Sequence, residues 1–345
     1  MPNAGVSPPY SIRVIITKSI YMCKFFFVIL LLIFPREVLN AARDGLGLWF
    51  NNVLPALLPF IVAVNLLTAF GFVRLLSRWA RPVMAAVFKL PGAGGFALIT
   101  GIISGYPIGA KTVADLWQAG EITTKEAQRL LAFCNNAGPL FIVGVVGAGL
   151  LADTTAGYVL WAGHVAAALI IGVLTRSQGD FRREKYRPCE QPDHTKFAEG
   201  TIYMKERTDM RAINEPPNMG KALGEAVKNA MEALLLVGGL IIFFSVVVRM
   251  IMLIAGGLPF MGVFAGIIEI TGGVKLLADA SPGVVTPGQM AAIGGIIGFG
   301  GLSVHAQALH FTSGTGVRAG VYLFYKAING VIAAGVTGLI WSLYM

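Results

Sequence analysis

Apolar residues dominate this chain in long runs that short polar segments separate. A run of about 20 apolar residues can cross the hydrocarbon core of a bilayer as a helix. The pattern predicts seven such spans, at residues 20–37, 46–70, 127–150, 155–175, 228–253, 288–311 and 317–343. Glycine and polar residues interrupt two further apolar stretches, 92–118 and 258–281. We interpret these two as broken-helix hairpins that each enter and leave on one side of the membrane.

The composition agrees with an integral membrane protein. Hydrophobic residues make up 55% of the chain and charged residues only 13%, and the mean hydropathy is +0.71. The predicted fold class is therefore all-α, a polytopic membrane helical bundle. The first span is interpreted as an uncleaved anchor rather than a signal peptide, because residues 39–42 lack a clean small-x-small cleavage pattern.

The formal net charge of +9 is best explained by membrane topology, and no nucleic-acid partner is predicted. Basic residues cluster before the first span, after the second span and in the polar stretch after the fourth, which places these segments and the N-terminus in the cytoplasm. The predicted divisions are 1–44, an N-terminal segment and anchor; 45–176, a first membrane repeat; 177–219, a polar cytoplasmic linker; and 220–345, a second membrane repeat.

An internal repeat relates the two membrane halves. The sequence GIISGYPIGAKTVADL from Gly101 resembles GIIEITGGVKLLADA from Gly266, and the spacing from lysine to aspartate is the same in both. With a cytoplasmic N-terminus, the two hairpins open to opposite sides of the membrane. The pattern therefore predicts inverted-topology repeats, each with a broken-helix hairpin, as in secondary transporters that bind substrate at the repeat interface.

Lysines stand at corresponding helix starts after the breaks, Lys111 in the first hairpin and Lys275 in the second. A lysine is disfavoured at a positive helix N-terminus unless an anion is near, and the free N–H groups there suit an anion with two negative groups. Alternatively, Asp115 and Asp279 pair with these lysines at i+4. The predicted substrate-binding residues are Lys111, Lys275, Ser104, Gly105, Gly109, Asn135, Asn136, Gly272, Gly273, Glu269 and Ser303.

Several polar residues allow two interpretations. Asn135 and Asn136 can orient a substrate or hydrogen-bond between helices. Glu269, an acid in an apolar hairpin, can carry a coupling proton or pair with a lysine. His305 ranks below the lysines, because a lone histidine on a helix is more often a packing residue. Ala110 separates glycine from lysine in GYPIGAK, which departs from the phosphate-binding P-loop. No catalytic residue, metal site or cofactor is predicted.

The segment LPGAGGFALITGIISGYPIGAKTVADLWQAGEITTKEAQRLLAFCNNAGPLFIVG (90–144), with EITGGVKLLA (269–278) and GFGGLSVHAQ (298–307), resembles the sporulation integral membrane protein family. That family contains the nucleoside-recognition, or Gate, domain and is related to concentrative nucleoside transporters and to the membrane gate of ferrous-iron transporters. The resemblance implies a role in endospore formation, in the mother-cell membrane around the forespore. It also implies movement of dipicolinic acid, a flat pyridine with two carboxylates.

The leading hypothesis is a multi-pass cell-membrane transporter or facilitator, not an enzyme, whose partners are the lipid bilayer and a small organic anion, dipicolinic acid. One alternative is a nucleoside transporter. Another is a non-transporting membrane scaffold that recruits sporulation proteins through residues 177–219. A homo-oligomer is compatible with the pattern.

Overall fold

Helices form every regular element in the part of the chain that the computed structural model describes, which is residues 25–70, 72–178, 219–255, 260–280, 283 and 285–345. The first half contains α1 (Phe25–Ile33), α2 (Pro35–Leu48), α3 (Leu54–Ala69), α4 (Phe72–Val83), α5 (Gly94–Ile103), α6 (Ile108–Gln118), α7 (Thr124–Cys134) and α8 (Thr154–Leu174). The second contains α9 (Met219–Ala255), α10 (Met261–Ile268), α11 (Ile270–Asp279), α12 (Pro287–Phe299), α13 (Gly301–Phe311) and α14 (Ala319–Tyr344). The all-α prediction is confirmed.

Shorter helical pieces of other pitch extend several of these elements. They are the π-helical segments Trp49–Val53, Met84–Phe88 and Leu140–Leu150, and the 3-10 turn Thr175–Gln178. The structure does not describe residues 1–24 or most of the predicted linker 177–219. The cytoplasmic placement of residues 1–24 therefore stays a prediction.

Four described helical units are long and apolar enough to cross a membrane: α8, α9, α12 together with α13, and α14. The bent pair formed by α1 with residues 35–53 passes the same test as one unit. Several long apolar helices in one chain define a polytopic membrane bundle, as predicted.

The straight first span predicted at 20–37 is corrected to a bent pair. α1 ends at Ile33, α2 begins at Pro35, and the two helix axes differ by 98°. The residue before a proline is disfavoured in the α conformation, and Phe34 accordingly has φ −115° and ψ 53°. From Pro35 the chain stays helical through Trp49–Val53 into α3, so residues 38–45 are helix rather than a connecting segment.

The first hairpin is broken at the predicted position, between α5 and α6. Gly105 has φ +82°, where a side chain is disfavoured, and the Tyr106–Pro107 peptide bond is cis. A Cβ on Gly105 would lie 2.6 Å from the backbone nitrogen of Gly138. The hairpin tip therefore contacts the backbone of the following span directly.

The predicted span 127–150 is also interrupted, which the sequence prediction did not include. α7 ends at Cys134, and helical structure resumes only at Pro139 and the π-helix Leu140–Leu150. Pro139 has no N–H to donate to the carbonyl of Asn135, so a regular helix cannot continue through this point. The asparagines predicted as site residues form the interruption itself.

The second half repeats the same order of elements. Its hairpin is broken at Glu269, which is extended (φ −140°, ψ 120°) between α10 and α11. The following predicted span, 288–311, divides into α12 and α13 at Gly300 and Gly301, whose φ angles are +101° and +64°. A broken hairpin followed by a broken span thus occurs twice, as a repeat requires. The inverted orientation of the two copies stays a prediction.

Small residues hold the long helices together beside these breaks. A Cβ on Gly163 of α8 or on Gly294 of α12 would contact the side chain of Thr337 in α14. Thr337 Oγ1 also lies 3.2 Å from the carbonyl oxygen of Met290 in α12, to which it donates. Close backbone approach of this kind is how helices associate where lipid supplies no hydrophobic drive.

Candidate functional site

A cavity of about 70 Å³ lies where the two hairpin tips meet. Ser104, Gly105 and Tyr106 line it from the first hairpin, while Glu269 and Thr271 line it from the second. Residues of the neighbouring helices complete the wall, namely Asn52 and Leu57 near the start of the chain, Gly138 and Phe141 after the break in the third span, and Ser303 and Gln307 of α13. Interrupted helices that surround a shared cavity are the arrangement in which transporters bind substrates.

Among the described residues that line this cavity, Glu269 is the only one with a carboxylate side chain. Its side chain caps α11, because one carboxylate oxygen accepts the backbone N–H of Thr271 at 3.1 Å and the other accepts that of Gly272 at 2.7 Å. Only 5% of the residue is exposed. An anion at a helix N-terminus is stabilised by the free N–H groups there. The protein therefore places its own negative group at the N–H donors that a substrate carboxylate would use.

Two polar atoms near the cavity have no hydrogen-bond partner among the described residues. They are the hydroxyl oxygen of Ser104, which is 2% exposed as a residue, and the phenolic oxygen of Tyr106. Buried polar atoms in native proteins are nearly always hydrogen-bonded to protein, water or ligand. Both residues line the cavity, so we take their hydroxyls as candidate hydrogen-bond partners for a molecule inside it.

Aromatic side chains line the apolar part of the cavity. Phe60, Tyr106 and Phe141 contribute, and the rings of Tyr106 and Phe141 lie 6.4 Å apart between centroids. Such rings bind flat molecules through their faces and edges. The cavity therefore combines hydroxyl, amide and carboxylate groups with surfaces that suit a planar ring.

The two predicted lysines are not among the described residues that line the cavity. Lys111 donates to Asp115 at 2.8 Å, the i+4 pairing that was the alternative interpretation. Lys275 is exposed on α11, as is Asp279. The structure therefore does not bring the predicted cationic pair to the space between the hairpins.

The predicted glycines act through close packing. A Cβ on Gly109 would overlap the carbonyl oxygen of Cys134, and one on Gly273 would overlap the backbone of Gly266. Gly272 donates its N–H to Glu269. These glycines let the two arms of a hairpin, or a hairpin and a span, approach at backbone distance.

Neither predicted asparagine is among the described residues that line the cavity, and each hydrogen-bonds within the protein. Asn135 Nδ2 donates to the hydroxyl of Tyr322 at 2.9 Å, and Asn136 Nδ2 donates to the carbonyl of Phe133 at 2.7 Å. The side-chain oxygens of both residues are buried without a partner among the described residues. The side-chain nitrogen of each asparagine is thus hydrogen-bonded within the protein, whereas the side-chain oxygen can still accept a hydrogen bond.

Sequence reasoning missed a second polar cluster behind the break in the third span. Lys326 Nζ donates to the carbonyl oxygen of Asn135 at 2.9 Å, and His305 Nδ1 lies 3.0 Å from the Tyr322 hydroxyl. His164 Nε2 accepts the backbone N–H of Ala137 at 3.0 Å. Lys326 carried a usable signal, because it is a lone charged residue within the apolar helix α14. Apart from Tyr322, which is on the same helix, the residues that surround it come from other helices, and their proximity is a product of tertiary packing.

The fold and the cavity define a polytopic integral membrane protein in which interrupted helices surround a shared cavity. Residues 50–175 match the Gate family, described as nucleoside recognition. The chain is also 33% identical over 331 residues to the sporulation integral membrane protein YlbJ of Bacillus subtilis (strain 168), over 89% of this chain and 78% of that protein. The chain therefore belongs to this family of sporulation integral membrane proteins. No solved structure matches it.

Proposed function

We propose that this protein is a carrier for a small, planar, polar organic molecule, which binds between the two hairpin tips. The supporting observation is the cavity itself, which Ser104, Tyr106 and Glu269 line beside aromatic rings, and the hydroxyls of Ser104 and Tyr106 have no partner among the described residues. A volume of about 70 Å³ holds about five water molecules. A substrate larger than this enters only when the hairpins move apart, which is the gating step that an alternating-access carrier needs.

The first candidate substrate is dipicolinate, whose ring suits the aromatic wall and whose carboxylates can accept hydrogen bonds from the hydroxyls of Ser104 and Tyr106. An ionised Glu269 would strongly repel the two carboxylates of dipicolinate in a buried cavity. We therefore propose that dipicolinate binds with Glu269 protonated, so that one proton accompanies the substrate. Glu269→Gln mimics the protonated side chain and should remove the pH dependence of dipicolinate flux while retaining transport.

A nucleoside is the second candidate, because no lysine or arginine is among the described residues that line the cavity. The hydroxyl, amide and carboxylate groups there can hydrogen-bond a neutral ribose and base. The nucleoside-recognition description of the matching family model points the same way. This candidate requires an ionised Glu269, so Glu269→Gln should abolish uridine flux.

Flux into proteoliposomes that contain the purified protein tests both candidates. Labelled dipicolinate and labelled uridine are each offered over a pH series, with Ser104→Ala as a cavity variant and Lys125→Ala as an exposed control. We expect Ser104→Ala to slow flux at least several-fold and Lys125→Ala to leave it unchanged. Protein-dependent flux of neither compound would refute the carrier and favour the scaffold, which deletion of residues 179–218 then tests.

The same assay decides whether the two predicted lysines act in recognition. If Lys111 and Lys275 attract a dianion to the cavity, each substitution by alanine should slow dipicolinate flux more at low than at high salt, because screening weakens such attraction. Wild-type flux in both variants would remove these lysines from the mechanism.

We further propose that the protein acts in the mother-cell membrane around the forespore, with its N-terminus in the cytoplasm. The relationship to a sporulation protein and the basic segments support this placement. Fluorescent fusions at the N-terminus, observed during spore formation, test the membrane, and protease accessibility of the fusion tests the side.

A further inference from the structure

Lys326 is buried in the interior of the bundle, where no carboxylate of the described residues pairs with it. Only 1% of the residue is exposed, and it forms no salt bridge with any described carboxylate. An ammonium group in such a place is costly unless other groups compensate its charge. The surrounding atoms therefore indicate what this lysine is for.

The first compensating group is the end of a broken helix. Lys326 Nζ donates to the carbonyl oxygen of Asn135 at 2.9 Å, and Asn135 is the C-cap residue of α7. The last carbonyl groups of a helix have no partner within it and carry the negative end of the helix dipole. The break in the third span thus directs a negative end at Lys326.

The second broken span brings a matching end to the same place. Gly300 is the C-cap of α12, and a Cβ built on it would lie 3.8 Å from Lys326 Cε. One turn further along α14, Asn329 donates to the carbonyl oxygen of Gly298 at 2.8 Å. The C-terminal end of α7 therefore hydrogen-bonds the Lys326 ammonium, and the C-terminal end of α12, from the second half of the chain, lies beside the Lys326 side chain.

The other groups near Lys326 are neutral or able to be neutral. Tyr322 shares its helix, His305 approaches from α13, His164 from α8 and Cys134 from α7, and all four are buried. Asn135 Oδ1 and Asn329 Oδ1 are buried oxygen atoms without a partner among the described residues. Carbonyl and amide oxygens at half-helix C-terminal ends are the ligands with which secondary transporters hold a coupling cation.

We propose that the Lys326 ammonium is a tethered cation. It occupies the position that these helix ends would otherwise offer to a monovalent metal ion. The cation at the broken spans is then supplied by a side chain of the protein itself. Together with the function proposed above, on which this step rests, the tethered cation predicts that substrate movement requires neither Na⁺ nor K⁺.

Thermal unfolding of the purified, detergent-solubilised protein tests the tethered cation without any substrate. Lys326→Ala should lower the unfolding midpoint by about 5 °C or more, and Lys125→Ala, an exposed lysine on α7, should not. Propylammonium ions should restore part of the loss in Lys326→Ala, because they return a cation to the vacated space. Propanol at the same concentration should not. Equal restoration by both compounds, or by neither, would overturn the cation role.

Ion replacement in the wild-type protein provides a measurement that needs no variant, in case Lys326→Ala does not fold. When NaCl or KCl replaces choline chloride at constant ionic strength, the unfolding midpoint of the wild-type protein should change by less than about 1 °C. A midpoint that Na⁺ or K⁺ raises by several degrees would show that a metal ion still binds, and the proposal would be wrong. Because neither measurement involves transport, a failed flux assay would not be confused with a failed cation site.

Discussion

Replacement of Gly109 by alanine would test how the first hairpin is held against the interrupted third span. Gly101 on α5 and Gly109 on α6 both face the carbonyl oxygen of Cys134, the last residue of α7. A Cβ at either position would overlap that oxygen. The obstacle is backbone, so no side-chain rotation can make room, and the hairpin must move away from the break.

The expected loss of stability follows from two opposing effects. An added group in a packed interior costs about 1–3 kcal/mol of folding free energy where side chains can shift. Because the obstacle here is backbone, Gly109→Ala should lie at the upper end of this range, at about 3 kcal/mol. Alanine in a helix is favoured over glycine by about 1 kcal/mol, which leaves a net loss of about 2 kcal/mol. Each kcal/mol lowers the unfolding midpoint of a chain of 345 residues by about 1–2 °C. The midpoint should therefore fall by about 2–4 °C.

Gly335 on α14 is the matched control, because a Cβ there would meet no atom within 4 Å. Gly335→Ala should be neutral or stabilising by up to about 1 kcal/mol. Both variants are compared with the wild type by thermal unfolding in detergent. A Gly109→Ala midpoint at or above that of the wild type would refute the close packing. The double substitution at Gly101 and Gly109 should cost less than the sum of the single ones, since both displace the same carbonyl.

Three further outcomes can be checked by the same unfolding measurement. Arg249→Ala should cost under about 1 kcal/mol, since its 2.5 Å ion pair with Glu37 is partly exposed; a loss of several kcal/mol would contradict this. Glu269→Gln should cost about 1 kcal/mol, because one of two capping acceptors is lost, and an unchanged midpoint would argue against the cap. Trp341→Phe should cost about 1 kcal/mol through the lost 2.7 Å hydrogen bond to the carbonyl of Val285, whereas a gain in stability would show that this bond contributes nothing.

The breaks within the two hairpins could be predicted from the sequence, because glycine and proline act on the backbone locally, whereas the bend at Phe34 and the interruption at residues 135–138 were not predicted. The break near Pro107 follows from the residue types alone. The break at Glu269 has a weaker local signal, and the repeat with the first hairpin was needed to locate it. Tandem glycines at Gly300 and Gly301 indicated an open backbone, although the prediction retained one continuous span there.

The composition of the site was harder to predict, because it depends on which helices pack together. Local sequence placed Lys111 and Lys275 at helix starts, but it carried no information about which face of each helix meets the cavity. Lys326 and Tyr322 stand on one apolar helix, far in sequence from the asparagine that they contact. Only the packed bundle brings these atoms together. The bend at Phe34 likewise depends on packing, since Pro35 permits a turn without determining its angle.

The length of α9 has a consequence for the polar connector that precedes it. At 1.5 Å per residue, its 37 residues extend for about 55 Å, whereas the apolar interior of a bilayer is about 30 Å thick. Even at a tilt of about 40°, roughly 12 Å of this helix extends beyond the apolar interior. Its first turns, which carry the charged pair Lys221 and Glu225, are the part of α9 suited to lie there.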